Sequence, residues 1–154
     1  MSVDLDRICR EIAIAAPVER VWAVLTTPEH IGRWFGTGTP AAVDLRPGGS
    51  IVFDHPPHGA LPARIEVLEP PHRLAYRWAV TGPQDAEPTA RNSTLVEYRL
   101  TATPDGGTLL RMVESGLAAV LMGDQERADR HAANSAGWTR ILAGLRTYAE
   151  PLAA

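Results

Sequence analysis

Apolar residues at the start of the chain follow first a strand-like and then a helix-like spacing. Ile8, Ile12 and Ile14 alternate with other residues, which predicts a strand with one buried face. Arg10 breaks this alternation, and we interpret it as a frayed or edge end of the strand. After Pro17, which suits a first helical turn, the spacing predicts two short helices, the second ending near residue 36 or 38. Their apolar positions are Val18, Val21, Trp22, Leu25, Ile31, Trp34 and Phe35.

Residues 41–116 contain short runs of alternating apolar and polar positions, separated by turn residues. The runs predict strands over residues 42–45, 50–54, 61–68, 74–79, 94–101 and 108–114. Gly48 and Gly49 mark one turn, and residues 104–107 mark a hairpin. The polar, proline-containing segment 81–92 is the longest predicted loop. We therefore predict an antiparallel meander for this region.

The last third of the chain changes to a helical period. Larger apolar residues on one face predict a helix from about residue 124 to 149, roughly 39 Å long at about 1.5 Å per residue. Asp124 is its predicted N-cap and Pro151 its stop. The face comprises Trp138, Ile141, Leu142, Leu145 and Tyr148, extended backwards by the smaller or polar Ala128, His131, Ala132 and Ser135. Together the elements predict an α+β fold: a curved antiparallel sheet wrapped around a long C-terminal helix, with two short helices after the first strand.

The small residues in the N-terminal half of this helix face predict a cavity between the helix and the sheet. Small side chains leave space in front of a concave sheet, and such pockets usually bind small molecules. Two alternatives stay open: the sheet lies closer to the helix there, or residues 117–123 fill the gap. For the aromatic residues, the alternative to ligand contact is packing in the core. The side chains predicted to contact a ligand are Trp34, Phe35, Phe53, Tyr76, Trp78, Met112, His131, Ser135 and Trp138.

Composition and charge narrow the classes of function. The chain has 154 residues, of which 45% are hydrophobic and 21% charged, as expected for a folded globular protein of one domain. All 15 basic residues are arginines, which excludes a lysine Schiff base and a lysine-based phosphate loop. The net charge of −3 argues against a protein that binds nucleic acid by neutralising phosphates. The single Cys9 cannot form an intramolecular disulfide, and there is no cysteine pair for a structural zinc site.

Two features predict a cytoplasmic protein that does not insert into a membrane. Charged residues within residues 1–22 leave no apolar core for a signal peptide. The longest uncharged stretch with some apolar weight is residues 115–123, whereas a membrane-spanning helix needs about 20 residues. A reducing compartment also agrees with the single cysteine.

Two groups of residues that include histidine are candidates for metal binding or for catalysis. His55 and His58, with Asp54, could hold a metal, but the prolines between them disfavour a helix, and the alternative is an exposed turn. His131 and Ser135 are one helical turn apart, where a glutamate from a strand would permit general-base catalysis. The candidate glutamates are Glu66, Glu97 and Glu114. No Gly-x-Ser-x-Gly motif occurs, so the alternative is that the pair, with Asn134 beside it, orients the polar end of a ligand without catalysis. We assign no catalytic residue, no metal site and no cofactor.

Arginines on the predicted strands are a further set of candidates. One of them could point inward and bind a carboxylate through a bidentate pair of hydrogen bonds. Alternatively, Arg99 and Arg111 could pair with Glu97 and Glu114 across the hairpin. The members of the set are Arg64, Arg77, Arg99 and Arg111.

Short segments distributed along the chain resemble, in order, the START-like (SRPBCC) helix-grip superfamily. They are residues 16–22 (APVERVW), 27–30 (TPEH), 33–35 (RWF), 44–49 (DLRPGG), 69–74 (EPPHRL) and 107–108 (GT), with Asn134, Gly137, Trp138 and Leu142. Together they are similar to the branch named after the activator of the heat-shock-protein-90 ATPase, over about residues 8–150. The resemblance implies the helix-grip fold, in a superfamily that includes lipid and hormone binders and polyketide cyclases. The eponymous cochaperone has a separate N-terminal domain in eukaryotes, so the resemblance does not imply chaperone activation.

We therefore expect one helix-grip domain over residues 8–150, with short tails at 1–7 and 151–154. Its predicted function is to bind a small, largely apolar molecule, lipid-like or aromatic, between the last helix and the sheet. The alternatives are an enzyme of the cyclase, dehydratase or hydrolase kind that uses His131, and a module that binds a chaperone or a regulator. Exposed strand edges would also permit a homodimer. The loops at the predicted entrance are 36–40, 55–60 and 81–92.

Overall fold

One antiparallel sheet and one long helix dominate the structure. The computed structural model describes residues 4–36, 38–54 and 59–152. The strands are β1 (Arg7–Ile14), β2 (Ala42–Asp44), β3 (Ser50–Asp54), β4 (Ala60–Glu69), β5 (Arg73–Ala79), β6 (Ser93–Ala102) and β7 (Thr108–Ser115). The helices are α1 (Val18–Thr26), α2 (Pro28–Trp34) and α3 (Asp124–Ala149), with a short 3₁₀ turn at Leu117–Ala119. The curved sheet, the long C-terminal helix and the two early helices confirm the predicted helix-grip fold.

The sheet has the strand order β1-β7-β6-β5-β4-β3-β2, so the first strand pairs with the last. From β2 to β7 each strand pairs with the next one along the chain, which is the predicted meander. β1 then pairs along β7, with Ile8 opposite Glu114 and Ile14 opposite Thr108. β1 and β2 form the two edges of the sheet.

Arg10 has a structural reason for interrupting the apolar pattern of β1. It shares the inner face of the strand with Ile8 and Ile12, where an arginine needs polar partners. Its guanidinium donates hydrogen bonds to the backbone oxygen and to the side-chain Oγ of Ser135 on α3, at 2.9 and 2.7 Å. Arg10 therefore attaches the edge strand to the long helix rather than marking a frayed end.

The core lies between the inner face of the sheet and the three helices. Alternate residues of β6 are buried, namely Thr94, Val96, Tyr98 and Leu100, as the sequence pattern predicts. α1 and α2 cover one end of this core, and the Trp34 indole N–H donates to the backbone oxygen of Val24 at 2.7 Å. Gly32 is required in α2 because a Cβ there would lie 2.0 Å from the backbone oxygen of Thr39. The chain after α2 can therefore fold back tightly against that helix.

The long helix differs from its prediction in its N-cap and in one face. Gly123, not Asp124, is the N-cap, and no side chain caps it; Asp124 is instead the first helical residue, where its carboxylate still faces the positive end of the helix. Ala132 is exposed, and the partly buried residues of the N-terminal half include Ala128, His131, Asn134 and Ser135. Within the described residues, no helix is long and apolar enough to cross a membrane.

The strand arginines lie on the outer face of the sheet, so the expectation that one of them points inward is wrong. They alternate with buried residues of their strands, and Arg64, Arg77 and Arg99 pair with carboxylates on the same face. Arg64 contacts Glu66 at 2.8 Å, and Arg99 contacts Glu97 at 3.0 Å within β6, not across the hairpin as the alternative predicted. Glu114, the other predicted partner, points into the core instead.

Candidate functional site

A buried carboxylate on β7 organises the inner face of the sheet. Glu114 is only 3% exposed, and its two oxygens accept hydrogen bonds from two indole N–H groups, a hydroxyl and an amide. The Trp138 Nε1 donates to Oε1 at 2.8 Å, and the Trp78 Nε1 donates to Oε2 at 3.0 Å. Thr94 donates its hydroxyl to Oε2, and Asn134 reaches Oε1 at 3.4 Å. These donors offset the loss of hydration that burial of a carboxylate entails.

The hydrogen bonds to Glu114 fix the orientation of two tryptophans from different elements. Trp78 on β5 and Trp138 on α3 stack with ring centroids 5.7 Å apart and an interplanar angle of 28°. Because each indole N–H points at Glu114, neither ring can turn about its side-chain bonds without losing a buried hydrogen bond. Phe35 approaches Trp78 at 6.1 Å and extends the aromatic surface toward α2. The chain thus holds a rigid aromatic wall at the junction of helix and sheet.

Two tyrosines lie beneath this wall. The Tyr76 and Tyr98 hydroxyls are 2.8 Å apart and hydrogen-bonded to each other. Both side chains are almost fully buried, and burial raises the pKa of each phenol above its ordinary value. Both therefore stay protonated near neutral pH and act as a neutral polar pair inside the core.

A groove of about 470 Å³ runs beside α3, between that helix and the segment that follows β5. Its apolar surface comes from Phe35, Leu61, Trp78 and Trp138. The polar and charged residues that line it are Thr81, Gln84, Glu126, Arg130, Asn134 and Arg140. At Gly137, a Cβ would meet no atom within 4 Å, so the groove is open above this turn of the helix. An aromatic surface with a polar rim suits a small molecule with an apolar body.

The space lies beside α3 rather than beneath its N-terminal half, which corrects the predicted position of the cavity. The cavity found there measures only about 10 Å³, close to the space of one water molecule, and Glu114, His131 and Asn134 are among the residues that line it. Leu117 and Val120 are buried and fill the rest, as the second alternative proposed. Arg127 holds their segment, since it donates to the backbone oxygens of Leu117 and Val120 at 3.2 and 2.8 Å.

The residues predicted to contact a ligand fall into three places. Phe35, Trp78 and Trp138 line the groove. Phe53, Tyr76 and Met112 are buried in the core beneath it, and Trp34 packs behind Phe35 with ring centroids 5.8 Å apart. His131 and Ser135 lie on another side of α3, where the His131 Nε2 is 3.2 Å from the backbone oxygen of Arg7 and Ser135 accepts from Arg10.

Several lining residues were not predicted, although a signal for them exists. Arg130, Ala133, Gly137 and Arg140 recur every three or four residues, which is the spacing of one helix face. Hydrophobicity alone does not distinguish this face from a solvent-exposed one. Glu114 also had a signal, because it continues the buried alternation of Leu110 and Met112 along β7.

Of the glutamates predicted to approach His131, only Glu114 does so, and the two line the same small cavity. Glu66 and Glu97 lie on the outer face with arginines. Burial opposes the ionisation of Glu97, but hydrogen bonds from Arg73 and Arg99 outweigh it and lower the pKa of this carboxyl. These carboxylates therefore belong to surface ion pairs and not to the groove.

No metal centre forms among the residues that the structure describes. No cluster of three or more histidine, cysteine, aspartate or glutamate side chains is placed there to hold an ion. His55 and His58, the predicted candidates, lie outside the described residues, as does part of the predicted entrance at 55–60. The metal hypothesis therefore stays a prediction.

A comparison of the chain with models of known protein families identifies its family. A family model described as activator of Hsp90 ATPase homolog 1-like protein matches residues 15–150. The chain belongs to this family. The match confirms the resemblance found in its sequence segments. No curated protein matches the chain.

Solved structures of several other proteins have the same fold. CalU16 from Micromonospora echinospora is 27% identical, with a TM-score of 0.67 over 94% of this chain and 76% of its own. The Aha1 dimer from Colwellia psychrerythraea is 19% identical, with a TM-score of 0.71 over 94% of this chain and 96% of its own. DynU16, described as a putative protein in the dynemicin biosynthetic locus, is 24% identical, with a TM-score of 0.72 over 95% of this chain and 48% of its own.

Proposed function

We propose that this protein binds a small, largely apolar molecule with a flat ring system in the groove beside α3. The observation that carries the proposal is the aromatic wall of Phe35, Trp78 and Trp138 on one side of that groove. A ring laid in the groove would exchange water for contacts with the apolar atoms that these side chains and Leu61 present to it. Lipid-like chains would also find apolar surface, but a planar partner uses the stacked tryptophans more fully.

The size and rigidity of the groove support binding. Its volume of about 470 Å³ falls within the roughly 300–1,000 Å³ that is usual for small-molecule sites. Glu114 fixes Trp78 and Trp138 before any ligand arrives, so little side-chain entropy is lost on binding. The description of DynU16 places that protein in a biosynthetic locus for a small molecule, which agrees with the proposal for the present chain.

The charges of the groove favour binding over turnover. Its ionisable residues among those described are Glu126, Arg130 and Arg140, all exposed on α3. A buried acid or base that could exchange protons with a ligand is therefore lacking in the described lining, because His131 faces the small cavity instead. The cyclase, dehydratase or hydrolase alternative would need a proton carrier from elsewhere.

Assembly with other chains is a separate question. The Colwellia relative is described as a dimer, and β1 and β2 are free strand edges here, so a homodimer is compatible with the fold. A chaperone or regulator as partner has the family description as its only support. Neither form of assembly conflicts with a ligand in the groove.

A pair of glycine substitutions on α3 tests the proposal with the neutral probe 1-pyrenebutanol. Gly137→Leu fills the groove, whereas Gly144→Leu adds the same side chain to open space outside it. By isothermal titration calorimetry, we expect Gly137→Leu to weaken binding about tenfold or more, which is the effect of roughly 1.4 kcal/mol, and Gly144→Leu to leave it unchanged. Circular dichroism checks that both variants fold. Equal affinity in all three proteins, or no binding by the parent chain, would refute the proposal.

A further inference from the structure

One charged residue of the groove, Arg140, has no role in the binding of a purely apolar molecule. We infer that Arg140 recognises an anionic group on the ligand, so that the preferred ligands are aromatic or polycyclic carboxylic acids rather than neutral hydrocarbons. This inference rests on the proposed function and specifies the class of molecule that the groove binds.

The two arginines of the groove differ in their surroundings on α3. Glu126 lies one helical turn before Arg130, at a spacing where opposite charges attract, although the two make no ion pair within 4 Å in the described structure. Arg140 has no acidic residue within one turn on either side, because its neighbours at that spacing are alanines and glycines. Of the two arginines, Arg140 is therefore the one whose positive charge has no acidic neighbour on the helix to offset it.

Arg140 is also unpaired within the described part of the chain. Its guanidinium makes no hydrogen bond or ion pair there, whereas Arg64, Arg99 and Arg127 each contact a carboxylate. An exposed arginine is often merely hydrated, and Arg146 on the same helix is equally unpaired among the described residues. The difference is position, since Arg140 lines the groove and Arg146 does not.

The direction of helical side chains places Arg140 toward the aromatic wall. A side chain on a helix leans toward the N-terminus and covers the turn before its own Cα. The residue one turn before Arg140 is Gly137, which has no side chain and open space above it. The guanidinium can therefore extend over Gly137 along the groove, whose lining also includes Trp138 and Trp78.

These features together define a two-part recognition. A flat apolar body lies against the stacked tryptophans, and a carboxylate on a short arm reaches Arg140, whose planar guanidinium can donate two parallel hydrogen bonds. A lysine would offer a single point charge at this place, so the bidentate geometry of arginine also favours planar anions over a spherical one. The same charge would disfavour amines.

A matched pair of probes separates this inference from the proposed function. 1-Pyrenebutyrate and 1-pyrenebutanol share their ring system and arm and differ in the terminal group. By calorimetry at low ionic strength, we expect the acid to bind the parent protein about fivefold more tightly than the alcohol, the effect of one partly exposed ion pair. Arg140→Gln should remove this preference, so that the acid and the alcohol bind the variant with equal affinity. Arg146→Gln, the control on the same helix, should retain it.

Each other outcome has a definite meaning. If acid and alcohol bind the parent protein equally, the inference is wrong while the proposed function stands. If Arg130→Gln and not Arg140→Gln removes the preference, the assignment to Arg140 is wrong. Failure of both probes to bind refutes the proposed function together with the inference. A preference that disappears at high salt only in proteins that retain Arg140 would support the ion pair directly.

Discussion

The two halves of α3 are held to the sheet by different forces. In the C-terminal half the buried residues are Trp138, Leu142, Leu145 and Ala149, which pack against the core. In the N-terminal half no residue is fully buried, and the attachments are hydrogen bonds made by Arg127, His131, Asn134 and Ser135. One helix therefore combines an apolar half with a polar half, and Trp138 stands at their junction.

The difference explains where the groove lies. Apolar packing is non-directional and fills space, so the buried side chains of the C-terminal half pack closely against the core. Hydrogen bonds act along fixed directions and connect the N-terminal half at single points, with the small Ala133 and Gly137 on its open side. The aromatic wall thus borders the groove where the helix changes from one kind of attachment to the other, although its rings are themselves largely buried.

The largest effect on stability is expected at Glu114, the β7 residue to which Asn134 and Trp138 of α3 are hydrogen-bonded. Glu114→Gln replaces one acceptor oxygen by an amide donor that faces other donors, and we expect unfolding free energy to fall by about 3–5 kcal/mol. Because Trp78 and Trp138 lose their common partner, the near-ultraviolet circular dichroism of the tryptophans should also decrease. Urea unfolding measures the first effect. Glu126→Gln, exposed on α3, is the control, and an equally small change in both variants would contradict the role of Glu114.

The apolar half is tested by Leu145→Ala. Leu145 is 0% exposed, and its truncation leaves a cavity that should lower the unfolding free energy by about 3 kcal/mol. The tryptophan signal and the binding of 1-pyrenebutanol should stay as in the parent protein, because the wall depends on Glu114 and not on this packing. Leu121→Ala, at a position 65% exposed, serves as the control. Loss of probe binding in a folded Leu145→Ala protein would show that the two halves are not independent.

An effect that depends on pH is expected from the tyrosine pair in the core under alkaline conditions. Burial raises the pKa of Tyr76 and Tyr98, whereas tyrosines of the unfolded chain ionise near pH 10. Above about pH 10 the unfolded state loses protons that the native state keeps, so stability falls by up to about 1.4 kcal/mol per pH unit for each tyrosine. Below that pH the contribution is fully present.

Urea unfolding between about pH 9 and 11.5 measures this slope. The double variant Tyr76→Phe and Tyr98→Phe should show a shallower decline than the parent protein. Tyr148→Phe is the control, since Tyr148 is only partly buried and bonds to His30 at 2.6 Å. Parallel slopes in the parent and the double variant would contradict the burial argument.

Periodicity predicted the architecture well because each element repeats its signal over many residues. The bounds of α3 and the faces of β6 followed directly from spacing. Single positions were harder. Asp124 has the right type for an N-cap, but the backbone of Gly123 takes that place, and Ala132 looks the same on a buried or an exposed face.

The candidate site was only partly accessible from sequence, for a physical reason. Small residues on α3 implied a gap, but whether the 117–123 segment fills it depends on long-range contacts such as those of Arg127 with the backbone oxygens of Leu117 and Val120. Trp78 and Trp138 come from distant parts of the chain, and only the fold places both against Glu114. The sequence predicted both tryptophans as ligand contacts, but it did not predict that both would bond to Glu114.

A crystal structure of the protein with 1-pyrenebutanol tests the central claim most directly. The account predicts pyrene density in the groove, with the ring against Trp78 and Trp138 and close to Gly137. The tryptophan rings should keep the orientation that Glu114 gives them. Pyrene bound elsewhere on the chain, with the groove containing only solvent, would contradict the account.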